Sequence, residues 1–416
     1  MFDLNTWQEI FSTIRKNKLR TFLTGFSIAW GIFMLMILLG AGNGLQNGVM
    51  QNFNSESKNI INVWPGRTAV AVEGFQKGRR IRFDEKDKTI LETQAGEVTM
   101  LSPHAGVWST LSRKGDHVQY YMSGVLSDYL KMESIKIHNG QGRLLNEIDE
   151  RESRKVVLLE QAMADVLFHK DENPVGEYVS INNIPFLVVG VYKQVNQWNN
   201  PEAFVPLSTA RAIYNLTHYS EFYFTVEGLN TLKANEEYNQ MLRGKFGRLH
   251  AFDPKDQRAV GIWNRMEDYV QTLMIFGGLR IFIWIIGFGT LIAGIVGVSN
   301  IMLITVKERT KELGIRKAIG ATPFSILRLI ILEAVMITTV FGYIGLFGGV
   351  LVTEIINYVM SQNAGNSEFV IFSNPTVDTG IAISATLVMI VSGVLAGYFP
   401  ARKAVKIKPI EALRYE

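Results

Sequence analysis

Four long apolar segments constrain this 416-residue chain more than any other feature. No charged residue occurs between Arg20 and Glu56, and later uncharged segments hold 26 residues after Arg280, 20 after Glu333 and 23 after Asp378. An α-helix rises about 1.5 Å per residue, so roughly 20 residues cross the hydrocarbon layer of a membrane. The sequence therefore predicts an uncleaved anchor at the first segment and four transmembrane helices in all, at 21–42, 271–306, 325–354 and 379–400.

Composition excludes several other classes of protein. The chain has 42 Lys+Arg, 38 Asp+Glu, a net charge of +4 and no Cys. It therefore has neither disulfides nor Cys-ligated metal, and an apolar content of 47% argues against a disordered chain. The basic residues cluster at the ends of the apolar segments rather than in one stripe, so we expect no nucleic-acid partner.

The distribution of Lys and Arg predicts the orientation of the chain. Basic residues precede the first apolar segment, follow the fourth and crowd the loop between the second and third, whereas the short loop at 355–378 has none. The positive-inside rule then places both termini, 1–20 and 401–416, and the middle loop in the cytoplasm. The large segment at 43–270 is predicted to lie outside.

The segment 43–270 has the pattern of an α+β domain with a core of its own. Alternation over 178–192, with a turn at Asn182–Asn183, predicts a β-hairpin. Val156–Leu159 predicts a buried strand, and helical patterns occur at 84–94, 160–168 and 229–246. All six His lie here, none with the spacing of zinc ligands. Four residues that could form a triad on paper are interpreted as surface polar residues, since no nucleophile elbow supports a hydrolase: Ser102, His104, Asp116 and His117.

Two of the predicted cytoplasmic regions, the N-terminal segment and the middle loop, have the residue pattern of a helix. Residues 6–18 read as an amphipathic helix, with Thr6 and Glu9 as a capping box, that either lies on membrane lipids or packs on a protein partner. The middle loop has charges at helical pair spacing and apolar residues that a partner groove could hold, although a loop that only sets topology remains an alternative. Thr322 and Pro323 are predicted to begin the third span.

Small residues at four-residue spacing predict close helix packing in the membrane, within one chain or across a dimer. These ladders are Gly289/Ala293/Gly297, Gly345/Gly349 and Gly393/Gly397. Arg280, Glu333 and Glu354 are interpreted as charges near span ends that reach the interface, with no transport role.

The cytoplasmic loop KERTKELGIRKAIGA at 307–321 resembles the signature of the MacB/FtsX family of ABC-transporter permeases. So do the tail GYFPARKAVKIKPIEALRY at 397–415 and the segment KNKLRTFLT at 16–24. Outside the membrane, NIINVWPG at 59–66, VVLL at 156–159 and NPVGEYVSINNIPFLVVG at 173–190 are similar to the MacB-type periplasmic core. The resemblance covers nearly the whole chain in the order of the family.

The resemblance implies an α-helical four-span membrane domain plus a large α+β extracytoplasmic domain of two lobes. The membrane-proximal lobe would comprise 43–125 and 218–260 and the inserted lobe 126–217. Independently of the resemblance, one helical face continues into the second span and, with the Gly-rich exit of the first span at 40–51, suggests a stalk, with an ordinary linker as the alternative; its residues are Ile262, Met266, Tyr269, Val270, Leu273 and Phe276. The loop at 307–321 would be a coupling helix for an ATPase, with Leu313, Ile315 and the Glu312/Arg316 pair as contacts. The full set of candidate coupling residues is Glu308, Arg309, Lys311, Glu312, Leu313, Gly314, Ile315, Arg316 and Ile319.

The resemblance further implies a non-catalytic permease subunit in a bacterial inner membrane, dimeric with itself or a paralogue. No G-x-x-x-x-G-K-[ST] occurs in the sequence, so ATP and Mg are expected on a separate ATPase chain and no cofactor in this one. Export of a periplasmic substrate, with an adaptor and an outer-membrane duct, is the leading function. A lipoprotein-releasing permease and an FtsX-like regulator of a cell-wall hydrolase are the alternatives. The roughly 230 residues of external segment favour the first two, since regulators are built around smaller external domains.

Overall fold

The computed structural model describes residues 18–54, 58–72, 74–169, 172–193, 201–363, 372–375 and 379–406. The chain divides into a membrane unit, drawn from 1–49 and 275–416, and a globular unit at 50–274. The division falls inside two helices, so neither predicted limit of the external segment, 43 or 270, coincides with the end of a helix. The predicted helix at 6–18, except for its last residue, and the tail after Lys406 lie outside the described residues.

The described residues form eleven helices and ten strands. The helices are α1 (Lys18–Asn54), α2 (Glu85–Gln94), α3 (Ser127–Met132), α4 (Glu147–Arg151), α5 (Gln161–Leu167), α6 (Leu207–Tyr214), α7 (Leu232–His250), α8 (Arg265–Glu308), α9 (Thr310–Ala318), α10 (Pro323–Asn363) and α11 (Thr379–Val405). The strands are β1 (Ile60–Pro65), β2 (Val98–Arg113), β3 (Asp116–Val125), β4 (Ile137–Gly142), β5 (Val156–Glu160), β6 (Tyr178–Ile181), β7 (Ile184–Tyr192), β8 (Glu202–Pro206), β9 (Glu221–Val226) and β10 (Val260–Asn264).

Four of these helices, α1, α8, α10 and α11, are long and apolar enough to cross a membrane, as predicted. Three of them extend well beyond the predicted spans. The helix α10 continues through Glu354 to Asn363, so the first part of the predicted loop at 355–378 is helical. A carboxylate ends an apolar segment but does not end a helix, because Glu has a high helix propensity.

Glycines of the third and fourth spans bring helix backbones together within the chain. A Cβ at Gly345 would collide with the carbonyl oxygen of Ala29 on α1, and one at Gly397 would lie 2.8 Å from Ala334 Cβ on α10. The ladder of the second span behaves differently, since a Cβ at Gly289 would meet no atom within 4 Å and Ala293 is exposed. On α8 the face that packs on α1 instead contains Gly287, Leu291, Gly294 and Val298.

One long strand organises the globular unit. The first half of β2 pairs with β9, in a sheet ordered β10-β1-β9-β2, and its second half, from Ala105, pairs with β3. The strands β2, β3, β8, β5, β7 and β6 then pair in a closed ring, because β6 bonds to both β7 and β2. The unit therefore consists of a sheet lobe, covered by α2 and α7, and a six-stranded barrel lobe with β4 on its edge.

The predicted hairpin is confirmed, and one predicted lobe limit is wrong. Asn182 and Asn183 join β6 to β7 with φ of 46° and 68°, the positive values that a type I′ turn requires. The strand β3, however, lies within 43–125, which the prediction gave to the membrane-proximal lobe, yet it belongs to the barrel through β8. The inserted lobe therefore begins near Ala105, because β2 changes partners without any change in its residue pattern.

Candidate coupling site

The junction of α8 and α9 is held by local hydrogen bonds. Arg309 stands between the two helices, and its backbone N–H donates to the carbonyl of Thr305 at 3.0 Å. The hydroxyl of Thr310 donates back to the carbonyls of Val306, at 3.1 Å, and Lys307, at 2.7 Å. The backbone therefore turns from α8 into α9 with the carbonyls of Thr305, Val306 and Lys307 hydrogen-bonded.

The end of α9 has a Schellman motif, the hydrogen-bond pattern that commonly terminates helices at glycine. Gly320 has φ of +105°, its N–H donates to the carbonyl of Lys317, and the N–H of Ala321 donates to the carbonyl of Arg316 at 3.0 Å. Thr322 then caps the next helix through a 3.3 Å bond from the N–H of Ser325, and α10 begins at Pro323, as predicted.

The inner face of α9 packs on the membrane helices of its own chain. Leu313 is 4% exposed and belongs to a cluster with Ile326, Ile330 and Ala401. The ammonium of Lys317 donates to the carbonyl of Val405, at the end of α11, at 2.6 Å. Leu313 was predicted to contact an ATPase; in the structure its side chain is buried against the chain's own helices, where it holds α9 in place.

A buried ion pair connects the start of α9 to α10. Arg309 lies 3.2 Å from Glu333 and 3.1 Å from Glu312. Glu333 is 4% exposed, which corrects its interpretation as a charge that reaches the interface. Because α10 begins at Pro323, Glu333 lies nearly three turns into the helix and follows Ile326 and Ile330 at the spacing of one face. That spacing was visible in the sequence.

Three large apolar side chains, here called the exposed apolar trio, are exposed on the outer face of α9, at its C-cap and in the first turn of α10. Ile315, Ile319 and Phe324 are 43%, 82% and 71% exposed. Charged residues border them, with Glu308 and Lys311 exposed and Glu312 paired to Arg316 at 3.2 Å. Phe324 was missed by the sequence reasoning, which assigned it to the start of a span. An apolar centre with a charged border is typical of a surface that binds another protein.

A second polar group is buried in the globular unit, where β2 passes from the sheet lobe to the barrel lobe. His104 is 1% exposed, lies edge-on to Tyr129, and burial lowers its pKa to about 3. It is therefore neutral beside Glu221, 3.9 Å away, although that distance would suit an ion pair. Burial raises the pKa of Glu202, on β8, to about 7 and also raises the pKa of Glu221.

The interpretation of Ser102 and His104 as surface residues is wrong, since both are buried in this region. Beside this junction of the two lobes, Arg265 contacts both carboxylate oxygens of Glu133, at 3.0 and 3.2 Å, and both side chains are almost fully buried. This pair joins the first residue of α8 to the barrel lobe. Within the ranges that the structure describes, no group of three or more His, Asp or Glu could hold a metal ion.

Comparison with known proteins identifies both halves of the chain. The model of the MacB-like periplasmic core domain matches residues 21–239, and that of the FtsX-like permease C-terminal region matches 284–409. A macrolide export ATP-binding/permease protein MacB from Neisseria meningitidis is 28% identical over 404 residues, which are 95% of this chain but 58% of that protein. The chain thus spans less than two thirds of this relative. The uncharacterized ABC transporter permease YknZ of Bacillus subtilis is 26% identical over 412 residues, with 97% of each chain covered.

Two solved structures also match the chain. The periplasmic region of MacB from Actinobacillus actinomycetemcomitans gives a TM-score of 0.42 at 22% identity, over 55% of this chain and 97% of that one. The extracellular domain of YknZ from Gram-positive bacteria gives 0.40 at 19% identity, over 50% and 100%. Since one family model covers more than half of the sequence and a second covers most of the remainder, the chain belongs to the MacB-like, FtsX-like family of ABC transporter permeases.

Proposed function

We propose that this chain is the permease subunit of a MacB-type ABC transporter and relays the movement of a separate ATPase to its extracytoplasmic domain. The supporting observation is the two-sided character of α9. One face exposes Ile315 and Ile319, and the other is held to α10 and α11 by Leu313, Lys317 and Arg309. A partner that pushes on the exposed face moves the membrane helices with it.

ATP and Mg would reside on the partner, and this chain would perform no catalysis. The permease YknZ, matched over 97% of its length, supports a permease on its own polypeptide. The helix α8 has 44 residues and is therefore about 66 Å long, roughly twice the hydrocarbon thickness. A continuous helix of that length is a suitable element for transmitting a displacement out of the membrane.

The exposed apolar trio provides the test. Burial of one Ile side chain contributes about 1.5–3 kcal/mol, so Ile319→Asp should weaken association with a co-expressed ABC ATPase more than tenfold. The stimulated ATPase rate should fall with it, while membrane insertion is unchanged. Ile148→Asp, at an exposed apolar residue of the globular unit, is the matched control. Wild-type association of both Ile319→Asp and Phe324→Asp would contradict the proposal.

Substitution of Leu313 separates the effect of packing within the chain from that of contact with the ATPase. Because it is buried among the chain's own helices, Leu313→Asp should lower the thermal stability of the purified permease itself, without any ATPase present. Ile319→Asp should leave that stability unchanged. Equal effects of the two substitutions on the isolated permease would contradict the assignment of inner and outer faces.

The proposed location is a bacterial inner membrane with both termini and α9 in the cytoplasm. The chain has no Cys, so a single introduced Cys reports its own accessibility. A membrane-impermeant maleimide should label Lys311→Cys only in inverted vesicles and Arg248→Cys only in intact spheroplasts. The reverse pattern would refute the orientation.

A second copy or a paralogue is the proposed partner within the membrane. The exposed part of the ladder, Gly289 and Ala293, supports this, since small residues let helices approach closely in lipid. Ala293→Cys should form a disulfide dimer in membranes, whereas Leu387→Cys on α11, also exposed, should not. Absence of cross-linking at 293 and its neighbours on that face would exclude this interface.

The proposed activity is export of a substrate from the extracytoplasmic side, with an adaptor and an outer-membrane duct as further partners. The name of the MacB relatives supports this choice over lipoprotein release or regulation of a cell-wall hydrolase. Stimulation of the assembled ATPase by a macrolide would support export. Stimulation by lipoprotein alone would favour the alternative.

A further inference from the structure

Arg280, on α8, and two amide side chains of α1 form a polar group at one end of the membrane unit. The Nη2 of Arg280 donates to Asn43 Oδ1 at 3.4 Å and to Gln46 Oε1 at 3.3 Å. The same cleft is lined by the buried apolar side chains of Leu39, Phe276 and Ile283. Beyond Arg280, toward the middle of the apolar part of α8, the exposed side chains include Ile281, Ile285 and Phe288. A cation with neutral acceptors therefore lies at the end of an accessible apolar surface.

The depth of this group in a membrane follows from helix length. Arg280 and Lys307 bound the apolar part of α8 and are 27 positions apart, which corresponds to about 40 Å along the helix. A bilayer with its headgroup layers measures about 40–45 Å. When Lys307 lies at the phosphates of one leaflet, Arg280 therefore lies at the phosphates of the other.

The charge of Arg280 is not neutralised within the described part of the chain, where no carboxylate lies at ion-pair distance from it. Its two hydrogen bonds go to neutral oxygens and are near the upper limit of useful length. A guanidinium carries five N–H donors in a planar fork, which matches the oxygens of a phosphate. Its side chain is exposed, so a ligand can reach it.

We propose that Arg280, positioned by Asn43 and Gln46, binds the phosphate of a glycerophospholipid in the leaflet at this end of α8. The first part of the acyl chain would lie against Ile281, Ile285 and Phe288, which α8 exposes on the membrane side of Arg280. The site combines a cation at phosphate depth with an apolar surface directly below it, which is the chemistry of a phospholipid rather than of a soluble anion. This lipid site does not depend on the ATPase, so its test is independent of the proposed function.

The test is native mass spectrometry of the purified full chain in detergent. The probes are dioleoyl-phosphatidylglycerol, dioleoylglycerol, which lacks the phosphate, and inorganic phosphate. Arg280→Gln should lower the affinity for the phosphatidylglycerol about fivefold and leave that for dioleoylglycerol unchanged. Asn43→Asp supplies an internal carboxylate to the same guanidinium without removing it and should produce a similar loss. Arg248→Gln, the same substitution at an exposed site in the globular unit, should have no effect.

The pair of variants keeps the result interpretable if one of them folds poorly. Unchanged affinity for the phosphatidylglycerol in well-folded Asn43→Asp or Arg280→Gln would overturn the proposal. Equal displacement of the lipid by inorganic phosphate at comparable concentration would also overturn it, since the site would then bind a free anion. A loss confined to the phosphate-bearing lipid in either variant, with no competition from phosphate, would support it.

Discussion

The membrane unit and the globular unit differ in where their large apolar side chains lie. In the globular unit, large apolar side chains such as Phe83, Phe224 and Phe246 are fully buried. In the membrane unit, only 28% of the most apolar stretch of α8 is buried within the chain, and Ile285 and Phe282 are more than half exposed. Water drives the first arrangement, whereas lipid is as apolar as the side chains and provides no such force between helices.

This difference shows what must hold each unit together. Helices in lipid associate through close backbone contact and through a few polar pairs, here Gly345 against Ala29 and Arg309 with Glu333. The globular unit has a large apolar core, whose stabilisation offsets the cost of burying the Arg265–Glu133 pair at the junction of its lobes. Substitution of small residues should therefore destabilise the membrane unit most. Substitution of buried charged residues should have its clearest effect on the stability of the globular unit.

The largest effect is expected at Gly345. Any side chain there collides with the backbone of α1, which cannot move without separating the two helices. Gly345→Leu should therefore abolish the folded membrane unit, measured as loss of a monodisperse species after detergent extraction. Gly289→Leu, where nothing lies within 4 Å, should leave extraction of the single chain unchanged. Equal recovery of the two variants would show that α1 and α10 do not pack at this glycine.

The ion pair of the lobe junction gives the next largest effect. Glu133→Ala leaves Arg265 buried without its partner, which should lower the free energy of unfolding of the globular unit by about 3–5 kcal/mol. Hydrogen exchange of β1 and β9 in urea, in the purified full chain, measures it. Glu237→Ala removes half of an exposed pair with Lys233 and should change stability by less than about 1 kcal/mol. A small effect at Glu133 would mean that Arg265 reaches water.

The smallest effects are dependent on pH and have opposite signs. The folded-state pKa of Glu202 is raised from 4.5 to about 7, so the folded unit binds an extra proton between those values and loses stability as the pH rises through them. Glu202→Gln should therefore stabilise the globular unit at pH 8, by at most about 3 kcal/mol, and have little effect at pH 4.5.

The pKa of His104 is lowered from 6.5 to about 3, so the unfolded chain binds the extra proton and stability is lost as the pH falls below 6.5. His104→Phe should remove about 2 kcal/mol of that loss at pH 5. The same unfolding measurement between pH 4.5 and 8 checks both substitutions, with exposed His117→Phe as control. Curves with the same slope in the wild type and both variants would contradict the burial of these groups.

Local signals in the sequence predicted much of the fold. Four apolar segments, the Asn182–Asn183 turn and the Thr322–Pro323 helix start all appear in the structure, since each depends on a few neighbouring residues. The closure of the barrel could not be predicted, because β6 and β2 are distant in sequence and pair over only two residues. The inward position of Leu313 and the outward position of Phe324 likewise depend on how α9 and α10 pack.

The sequence by itself determined where the chain is apolar over enough length to cross a membrane, and which family it belongs to, because both depend on residue order alone. Only the tertiary structure decided which face of α8 packs inside the chain and which glycines bring helices together. It also decided that Glu333 is buried with Arg309. These properties depend on contacts between segments far apart in the chain, and a small residue or a carboxylate has the same appearance in the sequence whether it faces lipid, water or another helix.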